Sequence, residues 1–474
     1  MTTLTSRSVT PEAKTPLWTL LKQAVKGTEQ DYTEGSLGRA VFLLSVPMIL
    51  EMVMESVFGI LDVFFVGRLG PDAVAAVGLT ESLLTVVFAL AMGLSMSTTA
   101  LVARRIGEKQ SEEAARTAVQ AIAVGTIVSL PMAIVGVLWP RELLGLMGAP
   151  ASVIDAGWTY TAWVLGGNAS ILLLFLINAV FRGAGDATVA MRSLWIANGV
   201  NIVLDPCLIF GLGPFPEMGI TGAAIGTVVG RTVGVLYQFT ALARAPGRVQ
   251  VCRRHLLFEP EVAWKLVRVS VGGVLQFLIA TASWLALVRI LTPFGAAPLA
   301  GYTIALRIII VAILPSWGMT NAVATLVGQN LGAGKPDRAE RSVWITGLYN
   351  MLFLIGVAVV FIVWPEPLIR VFTSDPAVLA FGATCLRVVS YGYAFYAWGM
   401  VMVQAFNGAG DTTTPTWINL GCYWLFQIPL AYGLARVAGL GPLGVFLAIT
   451  IAESVVAVVG ILAFRHGRWK ERVV

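Results

Sequence analysis

Charge is what this sequence has least of. Asp, Glu, Lys and Arg make up 12% of its 474 residues, about half the share of an ordinary soluble domain. Cysteine and histidine are scarce as well. Cys207, Cys252, Cys385 and Cys422 stand far apart with no CxxC pair, and His255 and His466 stand alone, so no zinc or redox centre is expected. No Walker A, GxSxG or HExxH segment occurs, which excludes an ATP motor and the familiar hydrolases. The chain is expected to be no enzyme and to need no cofactor. Its net charge of +6 does not point to nucleic acid, because the basic residues sit in short loops beside apolar runs.

Those apolar runs are what the sequence has in abundance. Hydrophobic residues make up 57% of it, and runs of 18 or more recur along nearly its whole length, each able to cross a bilayer core as a helix. A membrane barrel would show short alternating segments instead. The expected fold class is an all-α polytopic membrane protein of twelve spans. They lie near 38–67, 72–103, 117–139, 155–181, 188–211 and 219–243, then near 263–293, 298–329, 342–364, 380–406, 413–436 and 442–464. Before them, residues 1–36 are polar and carry no secretory apolar region, so no cleaved signal is expected. Within that tail, "LWTLLKQAVKG" reads either as a short amphipathic helix or as part of a loosely ordered tail.

The two sets of six spans are repeats. A shift of 225 residues lays "GLSMSTTALVARRIG" over "GMTNAVATLVGQNLG", "FRGAGDAT" over "FNGAGDTT" and Trp139-Pro140 over Trp364-Pro365. An even number of spans per repeat makes the halves parallel, related by a pseudo-twofold axis along the membrane normal, as in many transporters. The expected division is a tail 1–36, an N-lobe 37–243, a linker 244–262, a C-lobe 263–464 and a tail 465–474. Lys and Arg crowd the tails and the loops after even-numbered spans, while the other loops hold only Arg68, Arg141, Arg289, Arg370 and Arg436. That asymmetry predicts a cell (inner) membrane protein with both termini in the cytoplasm.

An ionisable group inside a membrane costs about 2.5–3.5 kcal/mol on insertion scales and is a functional candidate by default. Span 1 carries Glu51, Glu55 and Asp62, which share one helical stripe. In span 5, Asn198, Asn201 and Asp205 fall at i, i+3 and i+7, again one face. Pro206 follows, removes a backbone donor and frees the carbonyl of Ile202, marking a structural hinge. Under the 225-residue shift Asp62 meets Leu287, Glu51 meets Gln276, Asn201 meets Phe426 and Asp205 meets Leu430. The acids are thus a property of the first half, and cation binding is the chemistry they suit, with Asp62, Asn201 and Asp205 as a Na⁺ site or the carboxyls as proton carriers. A static network that sets helix packing is the other reading. Glu453 stands in span 12 with Arg307 or Arg387 as an expected structural partner. GAGD at 183–186 and 408–411 reads as a pair of structural turns between helices.

"PMILEMVMESVFGILDVFFVGRLGPDAVAAVGL", "TLVGQNLGAGKPDRAER", "RGAGDAT" and "NIVLDPCLIFGLG" together resemble the multidrug and toxic compound extrusion (MATE) transporters. The resemblance covers about residues 37–464. It implies a V of two six-helix lobes that exports organic, often cationic, compounds against H⁺ or Na⁺. The acids that some branches carry on spans 7 and 10 are absent, Gln276 standing at the span-7 place. The DinF-like branch has an aspartate on span 1, Asn-x-x-x-Asp on span 5 and a threonine on span 6, which Asp62, Asn201 with Asp205, and Thr227 match. Glu51, Glu55 and Asn198 are further polar candidates for the cavity outside that pattern. The function expected is ion-coupled drug efflux by a monomer in the lipid bilayer, with small organic substrates. A flippase for lipid-linked precursors and a non-transporting receptor or scaffold are the alternatives.

Overall fold

A backbone in hydrocarbon must satisfy its own hydrogen bonds, so long apolar runs have no choice but helix. The computed structural model of the protein describes residues 16–27, 30–244 and 247–472; residues 1–15 of the expected tail lie outside the described ones. The first six spans are Leu37–Val66, Pro71–Gly107, Ser111–Leu138, Ala151–Gly166 continued by Asn168–Ala184, Ala187–Phe210 and Ile220–Arg244. The second six are Pro260–Leu291, Ala296–Gly332, Pro336–Val363, Pro376–Ser390 with Tyr393–Gly408, Thr413–Val437 and Pro442–Arg465. Among the described residues, nine helices are long and apolar enough to cross a membrane, and the pair forming span 10, bent by 60°, is a tenth. The other two rods are span 1, with its three acids, and span 11, where α turns alternate with π-helix at Leu420–Gln427 and Gly433–Val437. Spans 3 and 9 each end at Trp-Pro, and the proline starts a short helix, Pro140–Leu146 and Pro365–Arg370, because proline suits a first helical turn but not an interior one. Span 5, by contrast, runs unbroken through Pro206.

The segment "LWTLLKQAVK" forms a surface helix, Leu17–Lys26. Arg192 at the start of span 5 donates to the carbonyls of Val25 (3.3 Å) and Lys26 (2.9 Å), and Thr188 donates to that of Ala24. The last turn of the helix thereby finds partners for carbonyls that have none inside it.

Apolar burial falls mostly within halves: one large cluster is built from first-half residues with Ala263 and Leu266 of span 7, and another runs from Leu287 to Ile449. A smaller cluster joins Leu44 and Met48 of span 1 to Ala322 and Leu326 of span 8. The halves meet in pairs of symmetric contacts. Gly107 and Gly332, related by the 225-residue shift, face one another across the pseudo-axis, and neither leaves room for a side-chain carbon. Ala103 and Gly328, another such pair, also touch. Off the axis, Gly93 packs on Gly273 and Gly318 packs on Met48, the same contact made twice. Ser97 and Ser270 share a hydrogen bond of 2.7 Å, Thr325 donates to the carbonyl of Arg182 and Gln329 to that of Gly183. Among the described residues, the hydrogen bonds and glycine contacts between halves all run from the ends nearest the tails to mid-span. Beyond that level Val57, Ile60 and Val63 of span 1 are exposed (42, 57 and 55%), and a side-chain carbon on Gly59 would meet nothing. The halves are closed on the tail side and part toward the other.

Candidate functional site

Span 6 carries Gly222, Gly226, Gly230 and Gly234, one face of bare backbone at every fourth residue. Such a stripe lets a neighbouring helix approach closely, and span 5 does so. A side-chain carbon on Gly222 would fall 2.5 Å from the carbonyl oxygen of Leu208, and one on Gly230 2.5 Å from that of Ala197. At Gly226 the space is filled by the carboxylate of Asp205. The face of span 5 that meets the stripe carries Ala197, Asn201, Asp205 and Leu208, all buried, while Asn198, also buried, turns to span 1.

The polar contacts there are short of donors. Asn201 Nδ2 donates to Asp205 Oδ1 at 3.1 Å and to Thr227 Oγ1 at 3.1 Å. Asn201 Oδ1 is buried and accepts nothing. The two N–H groups of one amide thus serve Asp205 and Thr227, and Asn201 Oδ1 is left beside them without a donor. A site with acceptors to spare and a carboxylate among them fits a small cation, bare proton or metal. Asp62 reaches the same interior from span 1. Among the described residues it makes no hydrogen bond. Its charge acts on Asp205 and on the buried Tyr160 of span 4, and Arg231 of span 6 offsets it.

Glu51 and Glu55 do not join this group. Glu51, 2% exposed, accepts from Asn178 Nδ2 at 3.1 Å and from Arg182 Nη1 at 3.4 Å. Asn178 in turn accepts from Ser193 (2.8 Å) and Gln238 (2.6 Å), tying spans 1, 4, 5 and 6 together. The 225-residue shift takes Glu51 to Gln276 and Arg182 to Asn407, and these two are also paired, exchanging amide hydrogen bonds of 3.1 and 3.2 Å. One clamp thus recurs in both halves, charged in the first and neutral in the second. Glu55 accepts from Asn198 at 3.0 Å. Glu453 is not paired with an arginine: Tyr423 donates to it at 3.3 Å, while Arg387 donates to the carbonyl of Ile362 and Arg307 is exposed.

Four participants escaped the sequence reading. Arg182 and Asn178 sit where span 4 reads as apolar filler before a loop, although the joint swap of Glu51 and Arg182 for Gln276 and Asn407 signals the pair. Tyr160 carries no one-dimensional signal. Glu81 of span 2 lies within electrostatic reach of Asp62 and of Arg307 across the opening between the halves.

The comparisons with known proteins agree with this frame. The family model MatE matches residues 47–207 and 274–433, once in each repeat. The chain belongs to the MatE family. "Probable multidrug resistance protein NorM" of Thermotoga maritima is 26% identical over 436 residues, 91% of this chain and 93% of that one. An "FAD transporter" of Shewanella oneidensis is 24% identical, over 89% and 93% of the two chains. A solved structure described as the outward-facing conformation of a multidrug resistance MATE family transporter superposes with a TM-score of 0.87 at 26% identity, over 95% of this chain and 99% of that one. MatE membership makes the chain a transporter rather than an enzyme, and a multi-pass membrane protein.

Proposed function

We propose that this MatE protein is a secondary multidrug antiporter, exporting organic, often cationic, compounds in exchange for H⁺ or Na⁺ in the manner of the DinF-like branch. The oxygen cluster of Asp205, Asn201 and Thr227 on the bare face of span 6 carries this reading. Asp62 is the second carboxyl of the coupling group. In this account residues 37–243 and 263–464 move as two lobes joined by 244–262, the tails lie in the cytoplasm of an inner-membrane protein, and the opening faces outward. Multidrug resistance proteins among the relatives support the cargo class. So does the opening itself, where Asp62 and Glu81 stand against Arg231 and Arg307 without the basic excess that a lipid-linked phosphate would need.

The coupling runs through competition. With the oxygen cluster empty of ion, Asp205 and Asp62 repel each other and favour a compensating charge, which an organic cation supplies. Loading the cluster with H⁺ or Na⁺ removes that need, and cargo leaves. Proteoliposomes with ΔpH and ΔNa⁺ imposed separately test this. Efflux of a fluorescent organic cation should follow one gradient, and Asp62→Asn and Asp205→Asn should each lower it at least tenfold. Gradient-driven efflux at the parent rate in both variants would refute the coupling group.

A further inference from the structure

At the tail-side end of span 9 a cavity of about 370 Å³ opens between Leu37 of span 1 and residues Gly334 to Arg338 with Arg341. That volume holds a headgroup-sized ligand. Its charges are unevenly matched. Asp337 is engaged by Lys470 at 3.4 Å, and Lys470 also bonds Glu340 at 2.6 Å. Lys335 donates to the carbonyl of Thr33 at 3.0 Å and has Glu34 only at 3.9 Å. Arg338 donates to the carbonyls of Tyr32, Glu34 and Gly35, and its Nε is buried without a partner. Asp31, within electrostatic reach of Arg338, accepts both the backbone N–H and the hydroxyl of Thr33. Arg341 is exposed and, among the described residues, makes no hydrogen bond or ion pair. Three cations therefore line one cavity, held mostly by neutral carbonyls.

The face of span 9 that begins at Arg341 continues as Leu348, Leu352, Ile355 and Val359 at helical spacing. Leu348, Leu352 and Val359 are 45, 57 and 50% exposed, an apolar strip for hydrocarbon leading down to a basic end. The repeat partner has the opposite character. Shifting by 225 residues, Asp337 and Arg338 become Glu112 and Glu113, and Lys335 becomes Gln110. There Arg254 and His255 of the linker bond Glu112, and Arg116 is held by Glu113 and Glu259 at 3.7 and 3.6 Å. The first half closes this turn with its own linker, while the second leaves it basic and open.

We propose that the cavity binds the phosphate of an anionic phospholipid from the tail-side leaflet. Lys335, Arg338 and Arg341 contact the headgroup, and the acyl chains lie along Leu348 and Leu352. Clustered cations at a helix end recognise phosphate through charge-assisted hydrogen bonds. Because Leu37 belongs to the first half and span 9 to the second, the lipid bridges the two on the side where they touch.

The full chain in detergent, titrated with phosphatidylglycerol, phosphatidylcholine or inorganic phosphate, tests this by native mass spectrometry and thermal unfolding. Lys335 and Arg338 also anchor residues 32–35, so the variant of choice is Arg341→Gln, with the exposed Lys265→Gln as control. Phosphatidylglycerol should remain bound as one copy and raise the melting midpoint. Arg341→Gln should weaken that binding about tenfold, as loss of one charge-assisted contact does, and Lys265→Gln should not. Three results would each overturn the proposal: equal binding of phosphatidylcholine, equal weakening by the Lys265 control, or displacement of the lipid by millimolar inorganic phosphate, which would make this a free-anion site.

Discussion

The Glu51–Arg182 pair and the Gln276–Asn407 pair occupy one place in the repeat, and only the first needs charge to be satisfied. Removing one partner of a buried ion pair strands the other and costs about 3–5 kcal/mol, whereas replacing both can be neutral. Glu51→Gln alone is therefore expected to destabilise strongly. The double change Glu51→Gln with Arg182→Asn, which copies the second half, is expected to recover most of the loss. Melting midpoints of the parent, the two single variants and the double variant decide this. A double variant as unstable as Glu51→Gln would mean the charges do more than clamp. At Gly226 the expectation is the reverse: fold kept, function lost. A methyl group there collides with the Asp205 carboxylate, so Gly226→Ala should lower ion-coupled efflux about tenfold while the protein still melts cooperatively near the parent midpoint. The stripe of Asn201 and Asp205 was readable from the sequence because a helical period decides which residues share a face. Partners were not readable, because a period does not say which face meets which neighbour. That is why Glu453 was assigned an arginine and found Tyr423, and why three acids on one stripe of span 1 divided among Arg182, Asn198 and the cation group.

At the scale of elements, the closed side depends on helices that touch backbone to backbone. Gly107 and Gly332 sit where spans 2 and 8 cross the pseudo-axis, and a side chain on either needs the spans to separate. Gly332→Ala is expected to shift the population toward a tail-side-open form. Spin labels on the tail-side ends of spans 2 and 8 should report a longer distance than in the parent; an unchanged distance would show that the crossing tolerates a methyl group. The linker has a pH-dependent hold of its own. The carboxyl of Glu112 lies below its ordinary value because His255 hydrogen-bonds it, with Arg254 adding charge. A lowered carboxyl stabilises above the ordinary carboxylate range and loses that contribution as pH falls through its lowered value. Protection of residues 252–259 against hydrogen exchange, taken relative to the intrinsic rate at each pH, should therefore fall on strong acidification, and Glu112→Gln should remove that change. The repeat, the helix count and the Trp-Pro breaks were all legible, since each leaves a mark in one dimension. The π-helical turns of span 11 and the 60° bend of span 10 were not, because they arise from how neighbours pack.

For the whole molecule, the internal repeat supplies contacts that are made twice, while the Asp205 carboxylate has no counterpart in the second half. Closure on the tail side uses contacts made twice, Gly93 on Gly273 and Gly318 on Met48. The proposed cation group lies in the first half, where Asp205 has a glycine face to lie on; Leu430 takes its place in the second. The account stands or falls on whether that group exchanges a small cation for cargo. The direct measurement is ion release from the purified protein: add an organic cation in weak buffer, and record the protons or Na⁺ set free. The parent is expected to release ion in fixed proportion to cargo bound, and Asp205→Asn to bind cargo with little or no release. The same release from Asp205→Asn would contradict the account.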